Sequence, residues 1–220
     1  MPGIIRFSVN SPFLLTAAIL GAICLSSGPA NADADGICGD ITGNLVQDCG
    51  FEHSTDGDGT PNNNSPAGWT LIQAASGSYS YTAGTIVNSG LNSFAFGAAG
   101  PDYDTLEQTS IPTVLGAQYT FSFYVYGDPS TSGNGFQASF DGNTLLSLLN
   151  DTQAGFSAYT YTVTGTGNDT IAFAGFDPTF YIFLDDVSLV QSVPEPASLL
   201  LLGAGMAGLG VVRRRRQVAR

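Results

Sequence analysis

From Asn44 onward the apolar residues recur at every second position, in runs of 5–10 residues rich in Val, Ile, Thr, Tyr and Phe. A period of two is the signature of a strand with one face buried, so the pattern restricts the chain to β-structure. Clear runs are Gln118–Tyr126, Ala158–Thr164, Thr170–Ala174 and Phe180–Val190, with Gly, Asn, Asp and Pro between them. Asp141-Gly142-Asn143, between Phe136–Phe140 and Leu145–Leu149, is a hairpin signal. Residues 33–192 show no helical periodicity of useful length and no internal repeat. The spacing predicts an all-β domain, an antiparallel two-sheet sandwich of about nine to eleven short strands. Two polar loops, 53–68 and 128–135, interrupt the strands; loops of this kind are mobile or ordered by a ligand.

Two segments outside this domain read as addresses. Residues 1–32 begin with Arg6, continue through the apolar run Phe13–Leu25 and reach Ala30-Asn31-Ala32. A basic start, an apolar middle and an A-x-A site describe a secretory signal peptide cut by signal peptidase. The run is shorter than the about 20 residues a retained anchor needs. Cys24 lies in it, but Ile23 lacks the small side chain of a lipoprotein site, so lipidation is not expected.

All six Arg, namely Arg6, Arg213, Arg214, Arg215, Arg216 and Arg220, lie outside residues 33–192, and the chain has no Lys. Of the 18 acidic residues only Glu195 lies outside, so the domain carries a formal charge of −17. Nucleic acid is excluded as a partner because nothing can replace its phosphate counterions. Anionic sugars and phosphorylated substrates are disfavoured for the same reason. Such self-repulsion weakens a compact state unless cations relieve it; solubility outside the cell and bound calcium are the two readings. Cys38 and Cys49 are the cysteines left after signal removal. In an oxidising compartment two neighbouring cysteines most often pair, closing a short loop and contributing about 2–3 kcal/mol.

At the C-terminal side, Val193-Pro194-Glu195-Pro196 precedes the apolar stretch Ala197–Val212 and then Arg213–Arg216. Sixteen residues are slightly short for a spanning helix, but flanking arginines reach the interface and the bilayer thins. The arginines fix the cytoplasmic end. In order and content, residues 193–220 resemble the PEP-CTERM sorting signal: motif 193–196, transmembrane helix 197–212, basic end 213–220. The resemblance implies a Gram-negative bacterium that makes exopolysaccharide. It also implies an exosortase that cuts near Pro194–Pro196 and passes the protein from the inner membrane to the surface or matrix. The composition itself gives only a transient membrane anchor.

Three stretches of the domain resemble a jelly-roll module of the galactose-binding-like kind, common among carbohydrate-binding modules. They are Asn44–Glu52 with Gly68-Trp69, Leu106–Gln108 followed by Gly116–Phe123, and the closing strand Phe183–Leu189. The resemblance implies a structural calcium where first and last strands meet, with Glu52 and Asp185 at the matching acidic positions. Asp185 shares strand parity with Val187 and Leu189, which directs it toward the apolar layer. There a lone carboxylate needs a metal or a partner, or accepts backbone N–H groups at the rim. Asp186 is then expected to face out. Asp56-Gly57-Asp58-Gly59 resembles part of a calcium loop but lacks the bidentate Glu at the right distance, and reads as a solvated turn.

Aromatic faces suit the apolar faces of pyranose rings, and Trp69, Tyr79, Tyr81, Tyr103 and Tyr126 are the candidates for a sugar platform. For Trp69 the alternative is a core position; Tyr79 with Tyr81, and Tyr159 with Tyr161, share strand faces and equally suit a sheet lining. His53, the only His, lies in a polar loop, there is no G-x-S-x-G elbow, and a zinc site lacks ligands. No catalytic residue is assigned, and paired carboxylates for glycoside hydrolysis are the third reading. The expected function is a non-catalytic surface or matrix protein that binds a neutral polysaccharide. The alternative is a structural or adhesive protein that gathers calcium.

Overall fold

The computed structural model describes residues 36–53, 65–74, 79–127 and 133–192. The expected signal peptide, the sorting tail with Pro194, Glu195, Pro196 and Arg213–Arg216, and most of the 53–68 loop lie outside them. One helical turn, α1 (Gly36–Gly39), precedes ten strands: β1 (Thr70–Ile72), β2 (Tyr81–Ala83), β3 (Ser93–Phe96), β4 (Asp104–Ile111) and β5 (Gln118–Tyr126), then β6 (Gly135–Phe140), β7 (Asn143–Leu149), β8 (Phe156–Thr164), β9 (Asp169–Phe176) and β10 (Ile182–Gln191).

The strands form two five-stranded sheets, ordered β2-β3-β10-β5-β8 and β1-β4-β9-β6-β7. All pairings are antiparallel, and from β3 onward the chain crosses between sheets at nearly every connection, as in a jelly roll. β5 shows why the strands sit where they do. Tyr119, Phe121, Phe123 and Val125 are buried between the sheets, while Thr120, Ser122, Tyr124 and Tyr126 are half-exposed. Alternation of this kind fixes which face meets the core. The core is dominated by aromatic rings, with Phe173 of β9 at its centre, 5.0 Å from Phe123 and 5.9 Å from Phe121.

The segment before β1 is tied to β10. Asn44 Oδ1 accepts from Val46 N and Leu189 N, and Asn44 Nδ2 donates to Cys38 O and Val187 O. Cys38 and Cys49 form the expected disulfide, so the loop that carries Asn44 is closed covalently as well as by hydrogen bonds.

Candidate functional site

β10 contains a bulge. Asp185 pairs with Tyr124 and Ser188 with Ser122, so three steps on β10 oppose two on β5. One extra residue reverses the parity beyond it. Asp185 therefore shares a face with Phe183 and Ser188, not with Val187 and Leu189 as the sequence parity suggested. The expectation that Asp186 faces out is also corrected. Asp186 adopts a left-handed conformation (φ 49°) within the bulge and is only 3% exposed.

Both carboxylates are covered by the β2–β3 loop, residues 84–92. Asp185 Oδ2 accepts from Asn88 N (2.7 Å) and Ser89 N (3.2 Å), and Asp185 Oδ1 from Asp186 N (2.8 Å). Asp186 accepts from Asn88 Nδ2, Ser89 Oγ and Cys38 N. Glu52 holds the far side of the same loop: its Oε1 accepts from Leu91 N (2.6 Å) and Asn92 N (3.0 Å), its Oε2 from Asn92 Nδ2. Gly90 permits this approach, since a Cβ there would stand 2.0 Å from Glu52 Oε1. Three carboxylates thus clamp one loop onto the sheet. Burial, and then the neighbouring charge of Asp186, push the Asp185 carboxyl up to about 8 against the three N–H bonds that favour its ionised form.

Glu52 and Asp185 are the pair that the resemblance assigned to calcium. Every oxygen of Glu52, Asp185 and Asp186 already accepts a hydrogen bond. Among the described residues no group of three or more His, Cys, Asp or Glu side chains is placed to hold a metal ion. As arranged, these oxygens form a hydrogen-bonded clamp and not an open ligand shell.

Beside the clamp, one transverse row crosses every strand of its sheet: Tyr81, Ala95, Phe183, Tyr126 and Phe156 stand in register. Tyr181, from the β9–β10 loop, lies over the position left small by Ala95 and Gly97; a Cβ at Gly97 would meet its ring at 2.4 Å. The rings follow one another at 5.4 Å (Tyr81–Tyr181), 6.1 Å (Tyr181–Phe183), 6.0 Å (Phe183–Tyr126) and 5.6 Å (Tyr126–Phe156). Phe183 is buried and forms the floor, while Tyr81, Tyr126, Phe156 and Tyr181 are half-exposed. Phe180 extends the row and is 41% exposed. Ile86 of the clamped loop packs against the same cluster, so the carboxylates hold one wall of the row in place. Asp177 shapes the other end: its Oδ1 accepts from Thr179 N, Thr179 Oγ1 and Phe180 N, setting the turn that presents Phe180 and Tyr181. At about 4.8 Å per strand, the row is about 19 Å long.

Of the aromatic candidates, Tyr81 and Tyr126 lie in this row, and Tyr79 shares the parity of Tyr81 and is 53% exposed. Trp69 is corrected as a ligand candidate. It is 5% exposed, packs on Phe51 and Phe173, and donates its indole N–H to Gln47 O, so it belongs to the core. Tyr103 packs instead on Phe176 of the other sheet, at 4.7 Å. Tyr159 and Tyr161 stack on Phe123 at the core side of β8. Phe156, Phe180, Tyr181 and Phe183 were not singled out from the sequence. The available signal was Tyr124 and Tyr126, ending an outer face of β5 that otherwise carries Gln, Thr and Ser. His53 is an exposed turn residue whose Nδ1 lies 3.5 Å from Asp48.

The fold and face together define a jelly-roll β-sandwich with an aromatic strip on the outside of one sheet. A sorting address completes the description: a profile of the PEP-CTERM protein-sorting motif matches residues 192–216. The motif implies export to the cell surface or beyond and processing by exosortase. No curated protein matches the chain. Among solved structures, the xylan-binding CBM22-1 domain of Paenibacillus barcinonensis Xyn10C is 10% identical with a TM-score of 0.46, over 69% of this chain and 97% of that one. The TmCBM61 structure in complex with β-1,4-galactotriose is 15% identical with a TM-score of 0.45, over 68% and 99%. The enzymatically active domain of Bacteriophage CBA120 tailspike protein 4 is 16% identical with a TM-score of 0.49; the match covers 68% of this chain but only 21% of the tailspike chain.

Proposed function

We propose that this protein is an exported, exosortase-sorted module that binds a neutral polysaccharide of the surface or extracellular matrix along the aromatic row. The row is the observation that carries this reading. Half-exposed rings of Tyr81, Tyr181, Tyr126 and Phe156, tilted or edge-on to their neighbours around the buried Phe183, form an apolar strip suited to the C–H groups of successive sugar rings. The absence of Lys and Arg from residues 33–192 directs the reading to uncharged sugars, since carboxylated or sulfated chains would be repelled. The tail of residues 197–212 anchors the chain in the inner membrane until exosortase cuts near Pro194–Pro196, and the released protein joins the exopolysaccharide.

Affinity electrophoresis against a panel of neutral polysaccharides tests the site. Tyr126→Ala and Tyr181→Ala are each expected to weaken retention tenfold or more, equivalent to about 1.4 kcal/mol, while Tyr103→Ala leaves it unchanged. Wild-type retention by both folded row variants would move the ligand elsewhere. No retention of the wild type on any polysaccharide would end the binding reading.

A second reading, a structural or adhesive protein that gathers calcium, is favoured by one observation. Asp185 and Asp186 are buried side by side in a domain without Lys or Arg. Calcium at Glu52 and Asp185 would have to replace amide donors of the clamped loop. It would then raise the melting temperature above that in EDTA, and Glu52→Gln or Asp185→Asn would reduce the rise. An identical melting curve in calcium and EDTA would remove calcium from these residues.

A further inference from the structure

The end of the sandwich from which the sorting tail departs carries an apolar lip. β10 ends at Gln191, and Ser192 N donates to Gln118 O while Ser192 Oγ bonds with Thr120 Oγ1. Beside this exit stands the β4–β5 turn, residues 112–117, held by Val114 N to Tyr119 Oη and by Gly116 N to Gly165 O. At its tip Val114 is 57% and Leu115 78% exposed. Val114 also lines an open groove of ≈ 450 Å³ with Leu45, Pro112, Tyr119 and Val190, whereas Leu115, the more exposed of the two, stands outside it. Two adjacent large apolar side chains exposed together make a small apolar patch at a turn, where Gly, Pro, Asn, Asp and Ser are the usual residues.

The distance to the anchor says what covers them. Four residues, 193–196, lie between Ser192 and Ala197, the first residue of the apolar stretch, so five Cα-to-Cα steps join them. Fully extended they span at most about 17 Å, and the headgroup layer alone occupies roughly 5–7 Å of each face of a bilayer. While residues 197–212 span the membrane, this end of the sandwich is therefore held within about 10 Å of the lipid surface. Its polar groups bear on the lipid type. Asp141 and Asp169 sit under the neighbouring β8–β9 turn, both reached by Thr166, and they oppose an anionic surface.

We propose that Val114 and Leu115 form a membrane-docking foot that inserts into the interface of the bilayer while the tail is anchored. The proposal rests on the reading of residues 197–212 as a membrane span. The foot fixes the orientation of the domain. The short linker with the Pro194–Pro196 motif is held at the surface. The aromatic row, nine residues back along β10 at Phe183, is presented about 30 Å away from the bilayer.

The test uses the chain as it stands after signal removal, residues 33–220, reconstituted in phosphatidylcholine vesicles. Leu115→Cys and, at the opposite end of the sandwich, Leu149→Cys (67% exposed in the native side chain) are labelled with an environment-sensitive fluorophore. The label at position 115 is expected to emit to the blue of its value in water and to be quenched by nitroxide lipids; the label at 149 is expected to do neither. Alkaline extraction of the same vesicles reports the anchor separately. A chain that resists extraction while position 115 remains aqueous overturns the foot and leaves the anchor standing. A chain that is extracted overturns both. Equal quenching at 115 and 149 shows non-specific adsorption and also overturns the foot.

Discussion

A thermal denaturation series between pH 5 and pH 9 is expected to show the sandwich losing stability as the solution becomes more alkaline, by an amount on the order of a few kcal/mol. In the unfolded chain Asp185 ionises near the ordinary carboxylate value of about 4, whereas in the folded domain it holds its proton until about pH 8. Folding therefore takes up a proton between these values. The stabilisation is complete below pH 4 and is lost as pH rises through 8. Asp169 does not interfere: burial raises its pKa, but the Thr113 and Thr166 donors outweigh that and hold it below the usual range, so its own effect lies at lower pH. In Asp185→Asn, which cannot ionise, the slope between pH 5 and 9 should largely vanish. That variant should be the more stable protein at pH 9, although one of its amide N–H groups will face a backbone donor. An unchanged slope in Asp185→Asn would show that the clamp is not the source.

The second large effect concerns the core. Phe173→Ala is expected to destabilise the domain by about 3–5 kcal/mol, the range for deleting a buried phenyl ring that its neighbours cannot replace. Phe173 is fully buried on the central strand of its sheet, and its ring touches Trp69, Phe121, Phe123 and Phe136. These residues come from two sheets and the segment before β1, so collapse into the void requires several elements to shift together. A loss of this size is a large share of the about 5–15 kcal/mol that holds a domain folded. The midpoint of urea unfolding should fall with little change in slope, and Phe173→Leu should lose much less. A loss below about 1 kcal/mol would mean that the core relaxes into the gap.

Most of the fold is legible in the alternation of single strands. Gln118–Tyr126 has the bounds read from its period, and β8, β9 and β10 differ from the sequence reading by at most two residues at either end. The short loop between Cys38 and Cys49 pointed to the disulfide found there. Asp186 was not legible, because a parity argument assumes an unbroken ladder and the bulge lies between the two residues it compares. Trp69 and Tyr126 are both aromatic residues near polar neighbours, and local sequence cannot tell a core ring from a surface one. The aromatic row was illegible for a further reason. Its members come from β2, β3, β5, β8, β10 and the β9–β10 loop, and they meet only once the register between strands is known. Phe183 in particular reads as an ordinary core residue of a buried strand, and it is buried, but by Tyr181 and Tyr126 on the outer side.

β10 is the last strand of the sandwich in chain order and the middle strand of its sheet, bonded to β3 on one side and β5 on the other. A chain that emerges amino end first must keep two half-sheets, β2-β3 and β5-β8, apart until this strand arrives. Assembly then proceeds through pairings between residues distant in sequence, which are slow to form. Residues 182–191 lie directly before the matched sorting motif at 192–216, so the strand that completes the sheet is also the part of the sandwich next to that motif. Were the chain cut at the motif before β10 had docked, the product would be an incomplete sandwich with its phenylalanines bare, so the topology demands that β10 dock first.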